Sequence, residues 1–183
     1  MRIISGKYKG RALKGKLPNG VRPTTDEARE SIFNILSNAY DLSNTTFLDL
    51  FSGSGAMGLE AISRGAIVTY FIDKNPKVIN YIKSNINFLE IDEKYEINHT
   101  DSIKFLNKIH NSFTIIFMDP PYKDKIIEHL ISMILDNKVL DHDGLLVIEV
   151  PKYDNVIIPN VLSVYKEKIS GTSKYIFLEF KNS

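Results

Sequence analysis

Asp119-Pro120-Pro121-Tyr122 sets a carboxylate, a rigid turn and an aromatic ring in four consecutive residues. The apolar run before it, Phe113–Met118, reads as a buried strand. That strand must stop at the prolines, which have no amide hydrogen to donate to a neighbouring strand. At a strand's end these groups suit one task. The carboxylate and the turn carbonyls accept hydrogen bonds from an exocyclic amino group, and the ring stacks on the extruded base that carries it. The chemistry indicated is methylation of a nucleobase amino nitrogen, with Asp119, Pro120, Pro121 and Tyr122 as the catalytic set. Tyr122 has one other reading, as a ring packed beneath the turn.

Methylation needs a donor site, and the stretch Phe47–Gly58 offers a strand, a glycine turn and the start of a helix. Gly53, Gly55 and Gly58 match the G-x-G-x-x-G pattern, and Asp73 lies 20 residues after Gly53, where it is placed for ribose hydroxyls. The glycines alone also fit a nicotinamide dinucleotide, so a dehydrogenase is a competing reading. Asp49 separates the two. A dinucleotide rests its pyrophosphate on the loop and helix N-terminus, where a carboxylate four residues before Gly53 opposes it. S-adenosyl-L-methionine has no phosphate and carries an ammonium and a sulfonium. A carboxylate about 4 Å from the ammonium contributes roughly 4 kcal/mol at an effective dielectric of ~20. Asp49 has an alternative role as a cap for the turn's backbone amides. Asp101, after the third strand, is placed for the adenine amino group and equally for the N-cap of the helix it opens.

The elements that must position these groups follow from periodicity. Apolar runs at 45–51, 67–72, 113–118 and 144–150, with a weaker one at 95–99, alternate with helical stretches at 56–64, 76–89, 101–109 and 124–136. Such alternation predicts an α/β fold with a parallel sheet covered on both faces, a doubly wound sheet. Val161–Ile169 and Lys174–Phe180 flank Ser170-Gly171-Thr172-Ser173 and predict an antiparallel edge hairpin. Thr24 with Glu27 fits a capping box for a helix over 25–39. Ahead of it, Arg2–Ser5 and Arg11–Lys14 flank a glycine-bearing turn, so the N-terminus is expected to be a basic β-hairpin arm.

Composition narrows the class. The 183 residues are 43% hydrophobic and 25% charged, which suits a single domain spanning 1–183, with the arm at 1–22 and the core at 23–183. No cysteine is present, so disulfides and thiolate metal sites are excluded and a cytoplasmic setting is expected. Four histidines without ligand spacing make a zinc site unexpected. The N-terminus turns polar too soon for a signal peptide, and no stretch has membrane-spanning length. The net charge of +1 hides an asymmetry: residues 1–22 hold seven Lys/Arg and no acid, leaving 16 basic against 22 acidic residues elsewhere. A basic arm on an acidic body fits a polyanionic partner, or else is simply solvated.

Taken together, these pieces resemble the bacterial 16S ribosomal RNA (guanine-N2) methyltransferases that modify guanine 966 of the small subunit. The resemblance spans nearly the whole chain: Arg2–Arg11, Arg22–Asn34, Leu48–Glu60 and Asp119–Tyr122. The last two segments mark an amino-group methyltransferase; the first two are specific to this family. The resemblance implies a Rossmann-like class I methyltransferase fold with a mostly parallel seven-stranded sheet. It implies S-adenosyl-L-methionine bound by Asp49, Ser52, Gly53, Gly55, Asp73 and Asp101, with Thr24, Thr25 and Arg29 in a stretch closing over it. It further implies 16S rRNA, in the small ribosomal subunit, held by Arg2, Lys7, Lys9, Arg11 and Arg22. Asp73 stands where relatives often have glutamate, a shorter reach to the ribose. A monomer is expected. Two other readings keep the same fold: an adenine-N6 methyltransferase of DNA or RNA, for which no target-recognition segment remains, and a non-catalytic RNA-binding module.

Overall fold

The computed structural model describes residues 1–21, 24–121 and 126–181. Seven strands form one sheet: β1 (Thr46–Asp49), β2 (Val68–Asp73), β3 (Tyr95–His99), β4 (Phe113–Met118), β5 (Leu140–Pro151), β6 (Leu162–Ser170) and β7 (Ser173–Phe180). Their order is β3-β2-β1-β4-β5-β7-β6. The first five run parallel, while β7 is antiparallel to β5 and β6 antiparallel to β7. The order reverses between β1 and β4, and ligands of open α/β sheets bind in the crevice at such a switch point.

Helices α1 (Asp26–Ala39), α2 (Ala56–Ser63), α3 (Pro76–Leu89), α4 (Ser102–Leu106) and α5 (Ile126–Asp136) cover the two faces. On one face, Ile32, Phe33 and Leu36 of α1 and Met57 of α2 bury against Phe47, Phe117, Val147 and Phe177. Ile82 and Ile86 of α3 pack with Leu59 of α2 and Phe71 of β2. On the other face, Phe105 of α4 and Leu130, Ile131 and Ile134 of α5 meet Leu48, Ile116 and Ile148. The near-continuous apolar strands of the sequence are thus buried from both sides, each large side chain contributing about 1.5–3 kcal/mol.

The predicted elements hold, with shifts at their ends. The cap of α1 is Thr25, whose hydroxyl accepts from Ala28 N, and not Thr24; Asp26 and Glu27 occupy the first turn, where negative charge suits the helix dipole. α4 ends at Leu106 and not 109. β5 begins at Leu140, four residues early, because Phe113 pairs with Leu140 across an irregularity in the β4–β5 ladder. The arm departs further. Its two segments make a single antiparallel bridge, Arg2 to Ala12, in place of two strands. What fixes it is docking: Ile3 and Tyr8 are buried among Leu59, Ile62 and Leu89.

Candidate active site

At the carboxyl ends of β1, β2 and β4 lies a cavity of about 580 Å³, within the range of small-molecule sites. Gly53, Asp73, Lys74, Asp101, Asp119, Pro120 and Pro121 line it, with Val78 and Ile103 supplying apolar wall. Residues 60 and more apart in sequence meet here because parallel strands deliver them to one edge. Three carboxylates face one lysine. That balance suits a cationic ligand better than a pyrophosphate.

The glycine turn is built as its pattern implies. Gly53 and Gly55 take positive φ, at 48° and 71°, which non-glycine residues rarely adopt. Gly58 has a different reason: a Cβ there would lie 2.2 Å from Phe71 Cε1, so its bare surface sets the approach of α2 to β2. Asp73 braces the turn from β2, accepting from Gly53 N through Oδ2 (3.1 Å) and from Asn75 N through Oδ1 (2.8 Å). Ser52 is a strap behind it. Its hydroxyl donates to Asp49 O and accepts from Ile72 N, both at 2.8 Å.

Asp49 is 1% exposed and sits beneath the turn, where Oδ2 accepts from Gly58 N at 3.1 Å. Burial pushes its carboxyl up to about 7, opposed by the Gly58 bond and reinforced by the charges of Asp73 and Asp119. The turn-capping role is therefore present, and the residue lies behind the cavity wall. Asp101 lines the cavity and also caps α4, Oδ1 accepting from Ile103 N at 3.0 Å. The N-cap role is met, and the residue stands on the cavity wall.

Thr24, Thr25 and Arg29 do not line the cavity. Arg29, 1% exposed, turns its guanidinium the other way: Nη2 donates to Arg2 O (2.5 Å) and Asp26 Oδ1 (2.9 Å), and Nε lies 3.6 Å from Glu60 Oε2. A buried carboxylate on α2 holds it there. The rim above Gly53 comes instead from Asn19, Gly20 and Val21, the end of the arm.

The expected RNA-binding cations also divide. Lys7 Nζ is held by Asp92 Oδ1 (2.6 Å) and Glu93 Oε1 (2.8 Å). Arg11 donates to the carbonyls of Leu89 (2.5 Å) and Phe88 (3.0 Å) at the end of α3. Arg2 Nε pairs with Asp26 at 3.5 Å. Lys9 is exposed. Arg22 and Tyr122 lie outside the described residues.

Sequence reasoning missed the groups that moor the arm. Glu60 is fully buried and accepts from Ile4 N (2.8 Å), Ser5 N (3.0 Å) and Arg64 Nε (2.8 Å). Asn85, equally buried, accepts from Lys14 N through Oδ1 and donates to Lys14 O. The signal for Glu60 was present: a lone charge in the otherwise apolar helix Ala56–Ser63.

Comparison with known proteins matches this geometry. The family described as Conserved hypothetical protein 95 matches residues 1–179. Ribosomal RNA small subunit methyltransferase D of Haemophilus influenzae is 34% identical over 178 residues, covering 96% of this chain and 91% of its own. The protein of the same name from Escherichia coli is 33% identical over 177 residues, covering 96% and 87%. The solved Escherichia coli structure named "Putative methyltransferase yhhF" superposes with a TM-score of 0.88 at 31% identity, covering 99% and 98% of the two chains. Matched over nearly all of its length, the chain belongs to the family described as Conserved hypothetical protein 95, which it shares with these methyltransferases, as the resemblance in its sequence implied.

Proposed function

We infer that the protein is an S-adenosylmethionine-dependent methyltransferase that modifies the exocyclic N2 of one guanine, of the 966 type, in 16S ribosomal RNA of the small subunit. One observation carries the reading: the glycine turn, Asp73, Asp101 and Asp119-Pro120-Pro121 converge on a single cavity. The residues present fit the donor, since the side-chain-free turn leaves room and the carboxylates favour its cationic groups. When bound, S-adenosylmethionine supplies a sulfonium-activated methyl group. We assign Asp73 to the ribose hydroxyls and Asp101 to the adenine amino hydrogen, with Asp49 adding negative charge from beneath the turn.

Guanine N2 is a poor nucleophile in the base plane because its lone pair is delocalised into the ring. Asp119 and the prolyl carbonyls accept the N2 hydrogens, turn the nitrogen toward the methyl and stabilise the positive charge that develops there. Alignment supplies much of the rate, and no strong base is required. Tyr122 follows directly in the chain and is assigned the face of the base. The protein acts as a monomer in the cytoplasm, on the assembling subunit.

The test is incubation with methyl-labelled S-adenosylmethionine and unmethylated small subunits, followed by identification of the labelled nucleoside. N2-methylguanosine at one position is expected. Label in N6-methyladenosine would overturn the base assignment. Asp119→Ala should lower turnover about 10²–10³-fold with donor affinity nearly unchanged; near-normal turnover would remove Asp119 from the chemistry.

A further inference from the structure

The grip of Asp119 on an amino group does not by itself select guanine, since adenine and cytosine carry one too. The sheet offers a second reader beside it. Phe117 of β4 pairs with Val147 of β5, and Met118 with Ile148, so continuing that parallel register sets Asp119 beside Glu149. Phe117 and Val147 face the α1 side of the sheet, and alternation returns Asp119 and Glu149 to that same side. Across the next pair, Glu149 is directly opposite Tyr175 of β7. The burial of Tyr175, then the charge of Glu149 and the approach of the phenol hydroxyl to that carboxylate, with a smaller part from Asp119, hold its phenol well above the usual value. Both carboxylates therefore act on one small volume.

Glu149 is only 7% exposed and half used. Oε1 accepts from Ser173 Oγ at 2.7 Å, which fixes the carboxylate's orientation. Oε2 is shut off from water and, among the described residues, meets no donor at hydrogen-bond geometry, although the Tyr175 hydroxyl faces the same carboxylate. A buried acceptor left short of donors is costly, and a ligand that brings a donor recovers that cost.

We propose that Glu149 is the specificity-determining residue for the target base, its Oε2 accepting the N1–H of guanine while Asp119 accepts from N2. This rests on the methylation reading above. Two acceptors carried on adjacent strands suit a base edge that presents two donors side by side. Guanine has that edge, with N1–H next to N2–H. Adenine and cytosine place a ring-nitrogen acceptor beside the amino group, which a carboxylate repels. The base parts the layer over Oε2 as it enters, and the dry carboxylate then meets N1–H without competition from water. Ser173 is a positioning residue in this scheme.

The discriminating probe is 2-aminopurine, which keeps the 2-amino group and has an acceptor at N1. Small subunits are reconstituted with 16S RNA carrying either guanine or 2-aminopurine at the methylated position. Methyl transfer is then measured for the wild-type protein and Glu149→Gln. The wild type should prefer guanine by roughly 100-fold or more in kcat/KM, because a site built for a donor is left with opposed acceptors. Gln keeps the shape and the Ser173 contact but offers an amide N–H, so its preference should collapse to within about fivefold or reverse. Donor affinity and melting temperature of the variant should stay near wild type. An unchanged guanine preference in Glu149→Gln overturns the proposal, as does a wild-type enzyme that methylates both bases equally. Absence of N2-methylguanosine with the wild type would overturn the methylation reading itself, a result distinct from either.

Discussion

Asp49 serves the turn and the donor with one carboxyl group, and pH separates the two uses. Its folded pKa, pushed up to about 7 by burial, stands well above the roughly 3.9 of an unfolded aspartate. Between those values the folded chain holds a proton that the unfolded chain has released. Stability from this group therefore falls as pH rises from about 4 to 7, by up to about 1.4 kcal/mol per pH unit, and the deficit is complete above 7. Asp49→Asn keeps an acceptor for Gly58 N and removes the titration. Urea unfolding between pH 5 and 7.5 should show a shallower decline for the variant. The donor's ammonium acts in the opposite sense, favouring the ionised form. Wild-type affinity, divided by that of the variant, should be about tenfold weaker at pH 6 than at pH 8. Calorimetric titration with S-adenosylmethionine checks this, and parallel profiles for the two proteins would remove Asp49 from donor recognition.

Helix α2 ties the arm to the donor site. Glu60 collects two arm amides and Arg64, with Arg29 beside it, and the arm it moors ends in Val21 over Gly53. Glu60→Ala strands those donors and the buried Arg29, and should cost about 3–5 kcal/mol in urea unfolding. It should also weaken donor binding, although Glu60 does not line the cavity. Intact donor affinity in the variant would show that the rim stands without its mooring. This element also shows where the sequence is legible. The strands, the helices and the glycine turn each follow from a local period or a local steric need, and Gly58 against Phe71 is one such need met. Asp119-Pro120-Pro121 was readable because prolines end a strand at a known sheet edge. The arm was not, since its shape is set by Glu60 and Asn85, 55 and 71 residues away from the amides they accept from. Glu149 was equally hidden, because its place beside Asp119 comes from strand register and neither local pattern reports it.

For the whole molecule, the question is which of the arm's cations face outward to a polyanion. Lys7 and Arg11 are spent within the chain: hydrogen bonds that Lys7 donates to Asp92 and Glu93 raise its pKa, and Arg11 closes the carbonyl end of α3. Lys14 lies over the Phe88 ring, 3.7 Å from its centroid. Lys9 and Lys16 are exposed on an arm that carries no acid, while the remainder of the chain has a net negative charge. Each phosphate contact by a lysine steepens the fall of binding with salt by about one unit in the log–log slope. Reversing Lys9 and Lys16 to glutamate should therefore weaken binding to the small subunit and flatten that slope by about two. Lys7→Ala and Arg11→Ala should act differently: the arm loosens, protease nicks it sooner, and the slope changes little. Filter binding across 50–300 mM salt, paired with limited proteolysis, distinguishes the two classes of cation. A slope that follows Lys7 and Arg11 and ignores Lys9 and Lys16 would mean that the arm releases its hold on α3 when it meets RNA.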